Sequence, residues 1–170
     1  MEINRSHLFH ADSTMNQLRN AVFYLARLME KKGNKTNINE RLRNMGRNIA
    51  KTFINYWKPI EIVNTSNLRD VLKTVYHTIL SSSISIDLDN TKKLITVRDY
   101  KCPLCRYPYE DIAVAGCEIV LGMISEFISL INKESTDSSV VFLEPFEVKE
   151  SRALGHDICI QVFKYKVGGG

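Results

Sequence analysis

The segment Ile84-Ser85-Ile86-Asp87-Leu88-Asp89-Asn90-Thr91-Lys92-Lys93-Leu94-Ile95-Thr96-Val97-Arg98-Asp99-Tyr100 is where the chain changes period. Ile84, Ile86 and Leu88 alternate with Ser85, Asp87 and Asp89, the two-residue repeat of a half-buried strand. Asp89-Asn90-Thr91 supplies turn chemistry, and Leu94 to Tyr100 returns as the partner strand of a hairpin.

Upstream of the hairpin, apolar residues come in steps of three and four. From about Thr14 to Lys32, Met15, Leu18, Val22, Leu25 and Met29 make one stripe of an amphipathic helix, ended by Lys31-Lys32-Gly33-Asn34. A second helix from about Asn37 presents Ile38, Leu42, Met45, Ile49, Phe53 and Trp57 and stops before Pro59. Gly46 inside it costs about 1 kcal/mol relative to alanine, which a close helix–helix approach would justify. Thr65 or Ser66 is the expected cap of a third helix that turns Leu68, Val71, Leu72, Val75 and Ile79 inward and breaks at Ser81-Ser82-Ser83.

Downstream, a cysteine-bearing loop runs through Pro103 and Pro108. The longest apolar helix is expected from about Glu110 to Asn132, with Ile112, Ala115, Gly116, Ile119, Val120, Met123, Phe127 and Ile131 on a broad inner face. After a polar turn at Ser135 to Ser139, Val140 to Val148 reads as an edge or bulged strand, because Pro145 cannot donate to a ladder. Ile158 to Phe163 forms the last strand. The expectation is an α+β fold: three N-terminal helices, a hairpin, a central helix and two C-terminal strands, with helices packed on one side of an antiparallel sheet.

The 170 residues suit one domain over 1–170, with a flexible 1–12 segment and a glycine tail at 168–170. Apolar residues make up 44% and charged residues 25%, which gives enough of both for one ordinary core and surface. No apolar run approaches the roughly 18 residues of a membrane-spanning helix, and residues 1–12 lack the apolar centre of a secretion signal. The expectation is a cytoplasmic protein, peripheral to a membrane at most. The net charge of the whole chain is +4, and the positive residues concentrate between Arg27 and Lys58, including Lys31, Lys32, Lys35, Arg41, Arg43, Arg47 and Lys51. These cations are interspersed on amphipathic helices with no nucleic-acid motif beside them, so they read as solvated faces and no nucleic-acid partner is expected.

The chain's four cysteines are Cys102, Cys105, Cys117 and Cys159. Cys102-Pro103-Leu104-Cys105 is a C-x-x-C knuckle in a loop directly after a strand, a spacing that lets both thiolates reach one tetrahedral ion. The later spacings are too open for a zinc-finger signature. Buried apolar cysteines and a redox pair remain alternatives, although Pro108 and the long loop suit a thioredoxin-like helix poorly. Disulfides are disfavoured in a reducing cytoplasm. His7, His10, His77 and His156, with Asp87, Asp89 and Asp99, show no nucleophile–base pairing. No P-loop, dinucleotide fingerprint or nucleophile elbow occurs, and no enzyme is expected.

The segment from Ile95 to Val162 resembles the 4-vinyl reductase domain in its archaeal forms, through Cys102-Pro103-Leu104-Cys105 after a strand, Cys117 on the following helix, and Gly155 four residues before Cys159. The resemblance implies a metal- or ligand-bearing fold with cysteines gathered near the central helix and last hairpin. Such domains often carry a further cysteine at the position of Ser151. Either the four cysteines therefore complete the coordination of zinc, or Glu147, Glu150 or His156 replaces one.

A wider resemblance, from Met15 to Val167, is to the small core subunits of the TRAPP vesicle-tethering complex. It rests on Asn39-Glu40-Arg41-Leu42-Arg43-Asn44-Met45-Gly46-Arg47-Asn48-Ile49, Asp70-Val71-Leu72-Lys73-Thr74-Val75 and Gly116-Cys117-Glu118-Ile119-Val120-Leu121-Gly122. It implies a non-enzymatic scaffold that dimerises through its N-terminal helices, here through Leu18, Val22, Leu25, Leu42, Met45 and Ile49. Implied partners are a second copy, related subunits or a small GTPase. The acylated cysteine that some members carry before the third helix has no counterpart near Ile62. The joint pattern looks like an archaeal relative of the tethering subunits. The alternative implied by the first resemblance is a sensor holding a small hydrophobic ligand between the central helix and the sheet.

Overall fold

The computed structural model describes residues 5–32, 35–59 and 61–168. Parts of the expected flexible 1–12 segment, the Gly33-Asn34 helix stop and the end of the glycine tail lie outside the described residues.

Helix α1 (Arg5–Lys32) begins well before Thr14. Its buried face is Arg19, Val22, Phe23 and Ala26, so the stripe is rotated from the one expected: Leu18 is 46% exposed and Leu25 only partly buried. The physical reason lies opposite it. Arg19 Nη1 donates to Pro103 O at 2.8 Å, the Phe23 ring meets Tyr109 with centroids 4.3 Å apart, and Arg27 binds Asp111 through two hydrogen bonds of 2.5 and 2.7 Å. Helix α1 thus lies along the 101–116 segment.

Helix α2 (Lys35–Phe53) packs on helix α4 (Cys117–Asn132) through paired glycines. A Cβ on Gly46 would stand 2.0 Å from Ile119 O, and one on Gly122 would stand 2.0 Å from Arg43 O. The close approach anticipated for Gly46 is present. Between the helices, Arg43 Nε donates to Glu118 Oε2 at 2.6 Å, a nearly dry ion pair that also reaches Phe146 O. Helix α2 stops at Phe53, earlier than expected. A turn then carries Trp57 onto Phe127, with ring centroids 5.9 Å apart and planes nearly parallel.

Helix α3 (Leu68–Leu80) buries Leu68, Val71, Leu72, Val75 and Tyr76; Ile79 is partly exposed. Neither Thr65 nor Ser66 caps it. Instead Asn64 Oδ1 accepts from the Ser66 and Asn67 N–H groups, and Asn67 Oδ1 accepts from Asn64 N. The longer asparagine side chain closes this turn on both sides. Ser81 ends the helix in a left-handed conformation at φ 51°.

Strands β1 (Ile84–Asp89), β2 (Leu94–Asp99), β3 (Val141–Glu150) and β4 (Cys159–Val167) form an antiparallel sheet in the order β1-β2-β4-β3. The last strand is therefore inserted at the centre. Asp89 Oδ1 accepts from Thr91 N and Lys92 N to close the β1–β2 turn. Strand β3 is an edge, with register shifts after Pro145 and Val148. Helices cover one side of this α+β sheet, and α4 is its centre, with Val120, Leu121, Ile124, Phe127 and Ile128 fully buried.

One correction bears directly on the cysteines. Helix α4 starts at Cys117, not near Glu110. Ile112, Ala115 and Gly116 are buried as expected, but on an irregular segment. That backbone is tied to other elements: Tyr109 N donates to Ala153 O at 2.9 Å, and Ala113 N to Glu30 Oε1 at 2.9 Å. These partners outcompete helical hydrogen bonds.

Candidate metal centre

Three parts of the chain deliver the cysteines. Strand β2 ends at Asp99, and the loop after it turns back so that Cys105 N donates to Cys102 O at 3.3 Å, placing both knuckle sulfurs on one side. Cys117 is the first residue of α4, and Cys159 the first of β4, opposite Asp99 in the ladder. All four Sγ atoms lie within 4.8 Å of one another, and none of the four residues is more than 1% exposed. Cys105 and Cys117 sulfurs are 3.1 Å apart, and Cys102 and Cys117 3.8 Å. In a regular tetrahedron with metal–sulfur bonds of about 2.3 Å, the sulfurs stand about 3.8 Å apart. The donor set and its spacing therefore fit a metal ion of thiophilic character.

Ser151 is buried beside the four sulfurs. Its hydroxyl donates to Cys105 Sγ at 3.4 Å and lies 3.7 Å from Cys117 Sγ. Arg152 N donates to Cys159 Sγ at 3.4 Å, within the short 3-10 turn Arg152–Leu154. Gly155 then takes φ 91°, the left-handed region that glycine tolerates, and the chain enters β4. Hydrogen bonds from Cys102, Cys117 and Cys159 hold Cys105 well below the ordinary thiol range, against the effect of burial. Cys102 and Cys117 are pushed the other way, chiefly by sharing protons with their neighbouring sulfurs. Beside the cluster, burial raises the Asp99 carboxyl to about 6.

Among the described residues, the group able to grip an ion comprises these four cysteines and no substitute. Glu147 pairs with Lys149 at 3.8 Å, Glu150 lies at the end of β3, and His156 is exposed in a shallow cleft with Arg106 and Asp157. Of the six residues expected at a dimer contact, Val22 and Leu42 are buried in the chain's own core. Leu18 and Ile49 are exposed, and Leu25 and Met45 are intermediate.

No family model and no curated protein matches the sequence. In structure, the chain matches trafficking protein particle complex subunit 3 from Naegleria fowleri, a crystal structure covalently bound to palmitic acid. The TM-score is 0.66 at 15% identity, over 91% of this chain and 96% of that one. The fold is TRAPP-like. The sulfur cluster is read from this chain's own residues.

Sequence reasoning missed Arg19, which is 3% exposed and clamps the cysteine loop. It also missed Asn132, whose side-chain amide bonds Val63 O and Val141 O and whose Oδ1 accepts from Val63 N. Arg19 left one signal: it interrupts an apolar face between Met15 and Val22.

Proposed function

We propose that the protein is a non-enzymatic scaffold subunit in which one structural zinc ion, held by Cys102, Cys105, Cys117 and Cys159, staples the β2–α4 loop to the last strand. The observation that supports it most is the burial of four thiols from three elements within 4.8 Å of one another. A fully sulfur-ligated zinc leaves no position open for a reacting water, which suits a structural role. The TRAPP-like fold supports a scaffold whose partners are related subunits or a second copy.

Self-association would use what the core leaves uncovered. Leu18, Tyr24 and Leu28 on α1 are 46%, 68% and 39% exposed, and Ile49 on α2 is 39% exposed. Met45, Ile49 and Phe53 on α2, with Tyr56 on the turn after it, line a mainly apolar groove. Singly exposed apolar residues are ordinary, but aligned groups on two helices are the kind of surface that partners cover. Covalent acylation, as in the neighbour, does not carry over, because all four cysteines are in the buried cluster.

A sensor of the 4-vinyl reductase type is the second reading, and it rests on the resemblance of the cysteine pattern in the sequence. Mass spectrometry of organic extracts from native protein tests it: a stoichiometric hydrophobic molecule would select the sensor over the scaffold. For the scaffold, native mass measurement should give a dimer containing one zinc per chain; a metal-free monomer would overturn it.

A further inference from the structure

A cleft of about 520 Å³ opens where α1, the end of α3 and the cysteine loop meet. Four cations line it: Arg19, Lys101, Arg106 and Arg152. Asp12 is the one carboxylate in the lining, and it sits 3.7 Å from Arg106 at the exposed rim. Met15, Ile79 and Leu80 supply an apolar wall.

Arg19 gives the cleft its direction. It is 3% exposed, with one nitrogen donating to Pro103 O and another to Asn16 Oδ1, while the guanidinium lies 5.8 Å from the centre of the Tyr107 ring. Among the described residues no carboxylate comes within ion-pair distance of it. A buried charge without a counter-charge is costly, and an anion drawn into the cleft offsets that cost. Guanidinium forks match the oxygens of phosphate and carboxylate groups. The volume lies within the ordinary range for small-molecule sites.

From this geometry we infer that the cleft binds an anionic amphiphile, with a phosphate head at Arg19, Arg106 and Arg152 and an apolar part against Met15, Ile79 and Leu80. Cys102 and Pro103 of the knuckle also line the cleft, but the groups assigned to the head and the apolar part are none of the four cysteines.

The test is calorimetric titration of the full chain with dodecyl phosphate below its micellar threshold. Inorganic phosphate, dodecyltrimethylammonium and phosphatidate vesicles are run beside it. Dodecyl phosphate should bind saturably, about tenfold or more tighter than inorganic phosphate, because only it uses the apolar wall. The double variant K101Q/R106Q, altered at two exposed positions, should lose about tenfold in affinity at unchanged melting temperature and zinc content. Equal binding of the cationic detergent, or full affinity in the double variant, would overturn the cleft as an anion site. Binding to the vesicles without binding to dodecyl phosphate would also overturn it, since that pattern reports attraction to a charged surface.

Discussion

At Gly46 and Gly122 the atoms that forbid a side chain are backbone atoms of the facing helix, so no rotamer change can make room. Gly46→Ala should destabilise the fold by about 3 kcal/mol, at the upper end of what overpacking a tight contact costs. Gly155→Ala meets no neighbour within 4 Å and bears only the left-handed backbone, so its loss should be about 1 kcal/mol. Urea denaturation of the two variants checks the ordering; equal losses would mean the helices part easily. Residue by residue, the sequence was readable where a residue type was out of place for its element. A glycine in mid-helix announced a contact. Arg19 announced nothing definite, because a charged residue on an apolar stripe is normally solvated. Its burial depends on the Pro103 carbonyl, which is distant in sequence.

Among the elements, helix identities followed from periodicity, and β3 carried its edge character in Pro145. The start of α4 did not show. Ile112, Ala115 and Ile119 keep helical spacing straight through a segment whose backbone is bound to Glu30 and Ala153. Apolar spacing records which residues are buried, and irregular chain can bury the same set. The α2–α4 pair also carries a buried charge that can be tested. Glu118→Leu leaves the Arg43 guanidinium without its carboxylate and should cost about 3 kcal/mol or more. Adding Arg43→Leu should recover most of that loss, because an apolar pair removes the stranded charge. Additive losses in chemical denaturation would contradict the account of Arg43 and Glu118 as one coupled unit.

For the whole molecule, the order of elements was legible but the sheet order was not, since inserting β4 between β2 and β3 leaves no local trace. The candidate site was legible as a knuckle plus two distant cysteines; only the fold brings Cys117 and Cys159 to it. The proposed dimer should respond to surface and core positions differently. L18D/I49D should give a folded species at the 19.5 kDa chain mass in sedimentation, whereas Leu42→Asp, at a position 1% exposed, should unfold the chain. A wild-type protein already sedimenting as a folded monomer would rule the dimer out. The central claim is the sulfur-bound ion, and X-ray absorption at the zinc edge, with elemental analysis of protein purified without chelator, tests it most directly. The account predicts one zinc per chain with four sulfur neighbours at about 2.3 Å. Metal-free protein with four freely titrating thiols, or zinc bound through nitrogen and oxygen, would contradict it.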